Sequence, residues 1–146
     1  MTAGEGAVPP ASCVFCKIAR GDEPATVICE GTEWIALFPR NPATPGHTLV
    51  IPRRHFADLW DVDDTLVASL MQATTKIGRS ITKALHPDGM NLISLAGRTA
   101  EQTVFHLHLH IVPRWEQDGF GKIWPAGRRY ERTDLGDVAD LIRAHC

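Results

Sequence analysis

Gln102-Thr-Val-Phe-His106-Leu-His108-Leu-His110-Ile-Val-Pro113 is the stretch on which the rest of the chain turns. Its polar and apolar residues alternate, which predicts a strand over 103–113. Side chains of a strand point to opposite faces in turn. His106, His108 and His110 are therefore expected exposed on one face. Phe105, Leu107, Leu109 and Ile111 are expected on the other, toward a core. Three imidazoles in a row have no packing purpose, so the strand is expected to carry chemistry. Residues i and i+2 of a strand lie about 6.7 Å apart, and i and i+4 about 13 Å. One metal ion therefore cannot hold all three rings of a straight strand. Two readings follow. A His-x-His pair with a distant histidine would make an open catalytic zinc site. Alternatively, the middle histidine attacks phosphorus and forms a covalent intermediate, splitting one hard step into two.

Outward from this strand, the pattern predicts an α+β domain. The run 13–22, CVFCKIARGD, reads as a short helix stopped at Gly21 and Pro24. Val27 to Glu30 and Trp34 to Phe38 read as a hairpin, and Pro39, Pro42 and Pro45 as a stiff loop. His47 to His55 reads as a strand ending near Pro52. From Thr65 to Leu85 the positions Leu66, Leu70, Ala73, Ile77, Ile81 and Ala84 step by three or four, the signature of one long amphipathic helix. Met90 to Leu95 is a further strand and Gly97 to Glu101 a polar turn. Residues 115–132 are rich in glycine and read as a loop, followed by a short terminal helix over 134–145. Strands cluster around one long helix instead of alternating with helices, which favours an antiparallel sheet. Residues 1–11 read as a disordered leader, 12–114 as the domain, and 115–146 as a C-terminal loop and helix packed on it.

Composition narrows the function. A chain of 146 residues with 44% hydrophobic and 22% charged residues is a globular domain, not a disordered chain. A net charge of −2 excludes a strongly basic nucleic-acid binder. The chain lacks an apolar run long enough to span a membrane, and Met1 to Ser12 lacks the pattern of a secretory signal. A cytoplasmic protein, with no membrane or nucleic-acid partner, is expected. Disulfides are disfavoured there. Cys13 and Cys16 form a C-x-x-C pair, a spacing that suits two ligands of one zinc or a redox pair. Cys29 reads as a core residue and Cys146 as part of a frayed end.

CVFCKIARGD, PGHTLVIPRRH (45–55) and QTVFHLHLHIVPR (102–114) together resemble the histidine-triad (HIT) superfamily, over roughly residues 13–114. The resemblance implies a sheet of about five antiparallel strands with one long helix and short terminal helices. It implies nucleotidyl transfer or hydrolysis at an α-phosphate, of a phosphoramidate or a dinucleoside polyphosphate. His108 would be the nucleophile, His110 a phosphate contact and His47 its support. Gln102 and Thr103 match positions that bond phosphate or leaving-group atoms. Phe15, Ile18, Leu37 and Leu49 match an apolar base pocket. Zinc-containing members supply the ligand set Cys13, Cys16, His55 and His106, a closed and therefore structural zinc site. The resemblance also implies a nucleotide or nucleotide conjugate as partner, and a homodimer.

Two departures fall on substrate recognition. Eight residues before His47, where the family carries Asp or Asn against ribose hydroxyls, stands Pro39. Eleven residues before His106, where Asn or Gln is common, stands Leu95. Arg40 or Asn41 could supply a substitute contact. Weakened ribose recognition would leave a nucleotide-binding protein with little turnover as the alternative reading. Trp124 is placed either over a leaving group or in an interface or core.

Overall fold

Asp63 starts the longest element. Its carboxylate accepts the Leu66 N–H at 2.9 Å, so helix α2 (Asp64–Leu85) begins one residue before the expected Thr65. It ends where His86 adopts a left-handed conformation with φ 48°. The computed structural model describes residues 9–127 and 135–146. Most of the expected leader and part of the loop before the terminal helix lie outside the described residues. Before α2 come α1 (Val14–Arg20), β1 (Val27–Glu30), β2 (Trp34–Leu37) and β3 (Thr48–Pro52). After it come β4 (Gly89–Ser94), β5 (Leu109–Arg114) and α3 (Gly136–Arg143).

The five strands form one antiparallel sheet in the order β1-β2-β3-β5-β4. The α+β expectation and the strand count hold. The sheet lies between two apolar layers. Leu66, Leu70, Ala73, Ile77 and Ile81 of α2 cover Ala36, Val50, Leu109 and Ile111 on one face. On the other face Ile35, Leu37, Leu49 and Ile51 pack with Phe15, Cys13 and Cys16 of the α1 segment. All five residues of β3 are buried, as a central strand with both faces covered requires.

Sheet pairing starts at Leu109, not near Thr103. The physical reason is the lack of a neighbour. β4 ends at Ser94 opposite Leu109, and the chain then turns away through a single 3-10 turn at Arg98–Ala100. The Leu107 N–H instead bonds the Phe56 carbonyl at 2.6 Å. Leu107 still joins the α2 core, but Phe105 does not. It is 41% exposed beneath the Arg98 guanidinium. Ala84 is likewise exposed, because the last turn of α2 runs past the apolar layer. Arg114 bonds Asp118 and the Gly121 carbonyl, yet Val138, Leu141 and Ile142 of α3 are exposed.

One glycine fixes the entry to β3. Gly46 has φ +81°, and a Cβ there would land on Leu85 Cδ1. Its carbonyl accepts the Thr48 hydroxyl, while Thr44 bonds the Pro113 carbonyl at 2.7 Å. Gly46→Ala is expected to cost about 1–3 kcal/mol from the forced left-handed backbone. Urea unfolding checks it, and an unchanged midpoint would show that this turn is not strained.

Candidate active site

The metal cluster is built from three separate segments. Cys13 caps α1, accepting the Cys16 N–H on Sγ at 3.5 Å, and one helical turn brings Cys16 beside it. His55 follows β3 and His106 precedes β5. The four ligand atoms lie within 4.8 Å of one another. His55 Nδ1 and His106 Nδ1 are 3.2 Å apart. Cys13 Sγ and Cys16 Sγ stand 3.4 and 3.5 Å from His106 Nδ1, and Cys16 Sγ is 3.4 Å from His55 Nδ1. A tetrahedron with Zn–N near 2.05 Å and Zn–S near 2.3 Å has edges of about 3.3 Å for N···N and about 3.6 Å for S···N. The cluster therefore has the dimensions of a Cys₂His₂ zinc site.

Protonation fits as well. The His106 Nε2–H donates to the Pro52 carbonyl at 2.8 Å, which turns the Nδ1 lone pair toward the cysteines. Burial pushes His106 down to about 4, and burial also lowers His55, so both rings are neutral ligands. Burial and the neighbouring Cys13 push the Cys16 thiol up to about 11, and a bound cation would stabilise the thiolate and release that proton to solvent. His106 is fully buried and Cys16 nearly so, which suits a closed, structural site.

The remaining histidines form a directional relay. The Ala43 N–H can only donate, and it meets His47 Nδ1 at 3.0 Å. The proton of neutral His47 therefore sits on Nε2 and is donated to His110 Nδ1, 3.0 Å away. Neutral His110 must then carry its proton on Nε2. That atom is buried with no partner among the described residues. His108 is fixed by a different bond. Its Nδ1–H donates to the His106 carbonyl at 2.7 Å, which leaves Nε2 with a free lone pair. The His108 and His110 rings stand 4.8 Å apart, and both residues line the same cleft. Burial lowers both rings, His110 to about 4 with help from the charges on His108 and His47.

His108 and His110 line a cleft of about 790 Å³. Phe15, Ile18, Leu37, Asn41, Leu49 and Thr103 line it too, as does Pro39. Phe15 packs edge-on against His108 with ring centroids 5.2 Å apart. Two expected residues stand elsewhere. Gln102 lies outside the cleft, because its amide is spent on the Gly97 N–H and on the Ala57 and Val104 carbonyls. It braces the turn leading to the histidines. Trp124 is 83% exposed and away from the cleft lining. Sequence reasoning missed Val14, Pro24, Ala25, Thr26, Phe38 and Val104, which line the cleft through sheet pairing and packing that no motif records. The Ala43 N–H that orients His47 is main chain and has no residue signature.

An α+β sheet that holds a histidine relay against an apolar cleft, beside a Cys₂His₂ cluster, defines a narrow class of protein. Residues 20–117 match the HIT domain family, and the chain belongs to it. It is 37% identical to the protein hit of Bacillus subtilis over 133 residues, covering 90% of this chain and 92% of that one. It is 36% identical over 116 residues to the adenosine 5'-monophosphoramidase hnt1 of Schizosaccharomyces pombe, covering 79% of this chain and 84% of that one. A Zn-bound histidine triad family protein from Mycobacterium smegmatis superposes with a TM-score of 0.70 at 39% identity, over 91% of this chain and 97% of that one.

Proposed function

We propose that the protein is a nucleotide hydrolase or nucleotidyl transferase that cleaves at an α-phosphate through a covalent nucleotidyl-His108 intermediate. The carrying observation is the His108 Nδ1–H bond to the His106 carbonyl at 2.7 Å, which leaves Nε2 with a free lone pair on a residue that lines the cleft. In the first step the Nε2 lone pair attacks the α-phosphorus and the bond to the leaving group breaks. The His110 Nε2–H donates to a phosphoryl oxygen as charge builds there. His47 holds that proton in place by filling His110 Nδ1. In the second step water, or another acceptor, attacks the same phosphorus and frees His108. The apolar walls formed by Phe15, Ile18, Leu37 and Leu49 suit a base, with Asn41 and Thr103 as polar contacts. A zinc ion held by Cys13, Cys16, His55 and His106 would supply structural cross-linking of α1 to the histidine segment.

Release of leaving group from a panel of adenylyl and guanylyl phosphoramidates and dinucleoside polyphosphates tests this reading. Turnover supports it. Tight nucleotide binding without turnover, from folded and metal-loaded protein, would favour a binding protein instead. Pro39 in the cleft lining, where a ribose-binding acid is expected, is the observation that favours that second reading.

The relay also sets a pH dependence. His110 must stay neutral for its Nε2–H to face the phosphate while Nδ1 accepts from His47. Its lowered value places protonation near 4 rather than at the ordinary 6.5. Burial lowers His108 as well, so the acid limb of kcat/KM for the free enzyme is expected below the ordinary histidine value of about 6.5. An acid limb centred at or above 6.5 would contradict the buried relay.

We also infer a cytoplasmic homodimer. β4 is a sheet edge with Leu92 half exposed, a surface suited to a second copy. Sedimentation at the monomer mass of 16.1 kDa at micromolar concentration would reject it.

A further inference from the structure

A second cleft, of about 420 Å³, shares no lining residue with the first. Cys16 and His55 lie at its floor, with Arg20, Arg53 and Arg54 around it. Cys16, only 4% exposed, thus borders an open cleft. Cys13 is its neighbour within the same 4.8 Å cluster. The cluster is in turn tied to the nucleophile by one residue. His106 places its ring among the sulfurs and its carbonyl on His108 Nδ1, while Phe15, next to Cys16, packs on both rings at 5.6 and 5.2 Å.

We propose that Cys13 and Cys16 are a thiol–disulfide site, reached through the second cleft, whose oxidation expels the metal and disengages His108. This rests on the metal reading and on the role given to His108. The co-reactant is a hydroperoxide. Two metal-bound thiolates lose two electrons and form one S–S bond. The O–O bond breaks and, with two protons from water, gives an alcohol (or water) and one water. The metal leaves as the hydrated cation, because disulfide sulfurs are poor ligands. His106 Nδ1 then keeps a buried lone pair with no cation to satisfy it, which favours movement of the ring and of the carbonyl that fixes His108. In a reducing compartment the resting state is the reduced one, as such regulatory pairs require.

The test uses the full chain carrying Cys29→Ala and Cys146→Ser, so that only the pair remains. Zinc content is measured first, and its absence would remove the metal reading while leaving disulfide formation open to measurement. Hydrogen peroxide is then added stepwise. Three readouts are followed: disulfide by peptide mass mapping, zinc release to a chromogenic chelator, and the His108 tautomer by nitrogen-15 NMR. Disulfide and zinc are expected to appear one for one. Over the same titration His108 is expected to change from the Nδ1–H form to a mixture. kcat is expected to fall at least tenfold with KM within about twofold, and dithiothreitol plus zinc should restore both. Circular dichroism follows folding on the same samples. Oxidation to a disulfide with the His108 tautomer unchanged, or thiols that resist peroxide while zinc stays bound, would overturn the proposal. If turnover is absent from the start, the tautomer and zinc readouts still decide it separately from the proposed activity.

Discussion

His108→Ala is expected to lower kcat/KM at least about a thousandfold, or about 4 kcal/mol of transition-state stabilisation. Zinc content and folding should stay near wild type. The size follows from the role: an attacking atom is removed, and no other free imidazole lone pair faces the cleft. His110 Nε2 carries a proton and so offers no lone pair, and His47 spends both nitrogens on Ala43 and His110. His110→Ala should cost less, about a hundredfold, because it removes one donor to the phosphoryl oxygens and spares the nucleophile. Leaving-group release measured on both variants checks the ranking. Equal losses would mean that the two rings act as one unit, and a mild loss for His108 would remove it as the nucleophile.

Stripping the metal is expected to produce the largest change in stability. Structural zinc in small domains contributes about 10–16 kcal/mol of binding free energy to the folded state. Even a third of that, about 4 kcal/mol, moves the melting temperature of a domain this size by about 8–16 °C. The expected result of chelation, or of Cys16→Ser, is therefore a drop of at least about 8 °C in calorimetry. Activity should fall in step with unfolding. Cys13 is both a member of the cluster that could hold the metal and the cap of α1, so the loss is expected to spread along that helix to Phe15 and the cleft wall. Activity lost on mild chelation at an unchanged melting temperature would restore the reading of an open catalytic zinc site.

The long helix and the sheet were legible because their periodicities are local. Leu66, Leu70, Ala73, Ile77 and Ile81 write the α2 face into the chain, and alternation writes β5. The start of β5 was not legible, because pairing depends on where β4 stops, and a sequence pattern does not show its partner. Alternation sorts the faces before pairing begins but not their exposure: Leu107 joins the α2 core, His106 and His108 are buried against Phe15 instead of exposed, and Phe105 escapes to the surface. Residue type and spacing singled out the Cys13–Cys16 pair and the three histidines His106, His108 and His110, while His47 and the grouping of His55 and His106 with the cysteines came from the resemblance to the HIT family. The histidine tautomers were not legible, since these are set by the Ala43 N–H and the carbonyls of Pro52 and His106. Main-chain partners leave no trace in residue identity. Gln102 shows the reverse case, where a residue type that suits phosphate is consumed by backbone bonding.

The covalent intermediate is tested most directly by stereochemistry at phosphorus. An adenylyl substrate chiral at an α-phosphorothioate is hydrolysed in oxygen-18 water, and the configuration of the product is read by phosphorus NMR. Attack by His108 followed by attack by water inverts the centre twice, so overall retention is expected. Net inversion would mean a single direct displacement by water and would contradict a nucleotidyl-His108 intermediate.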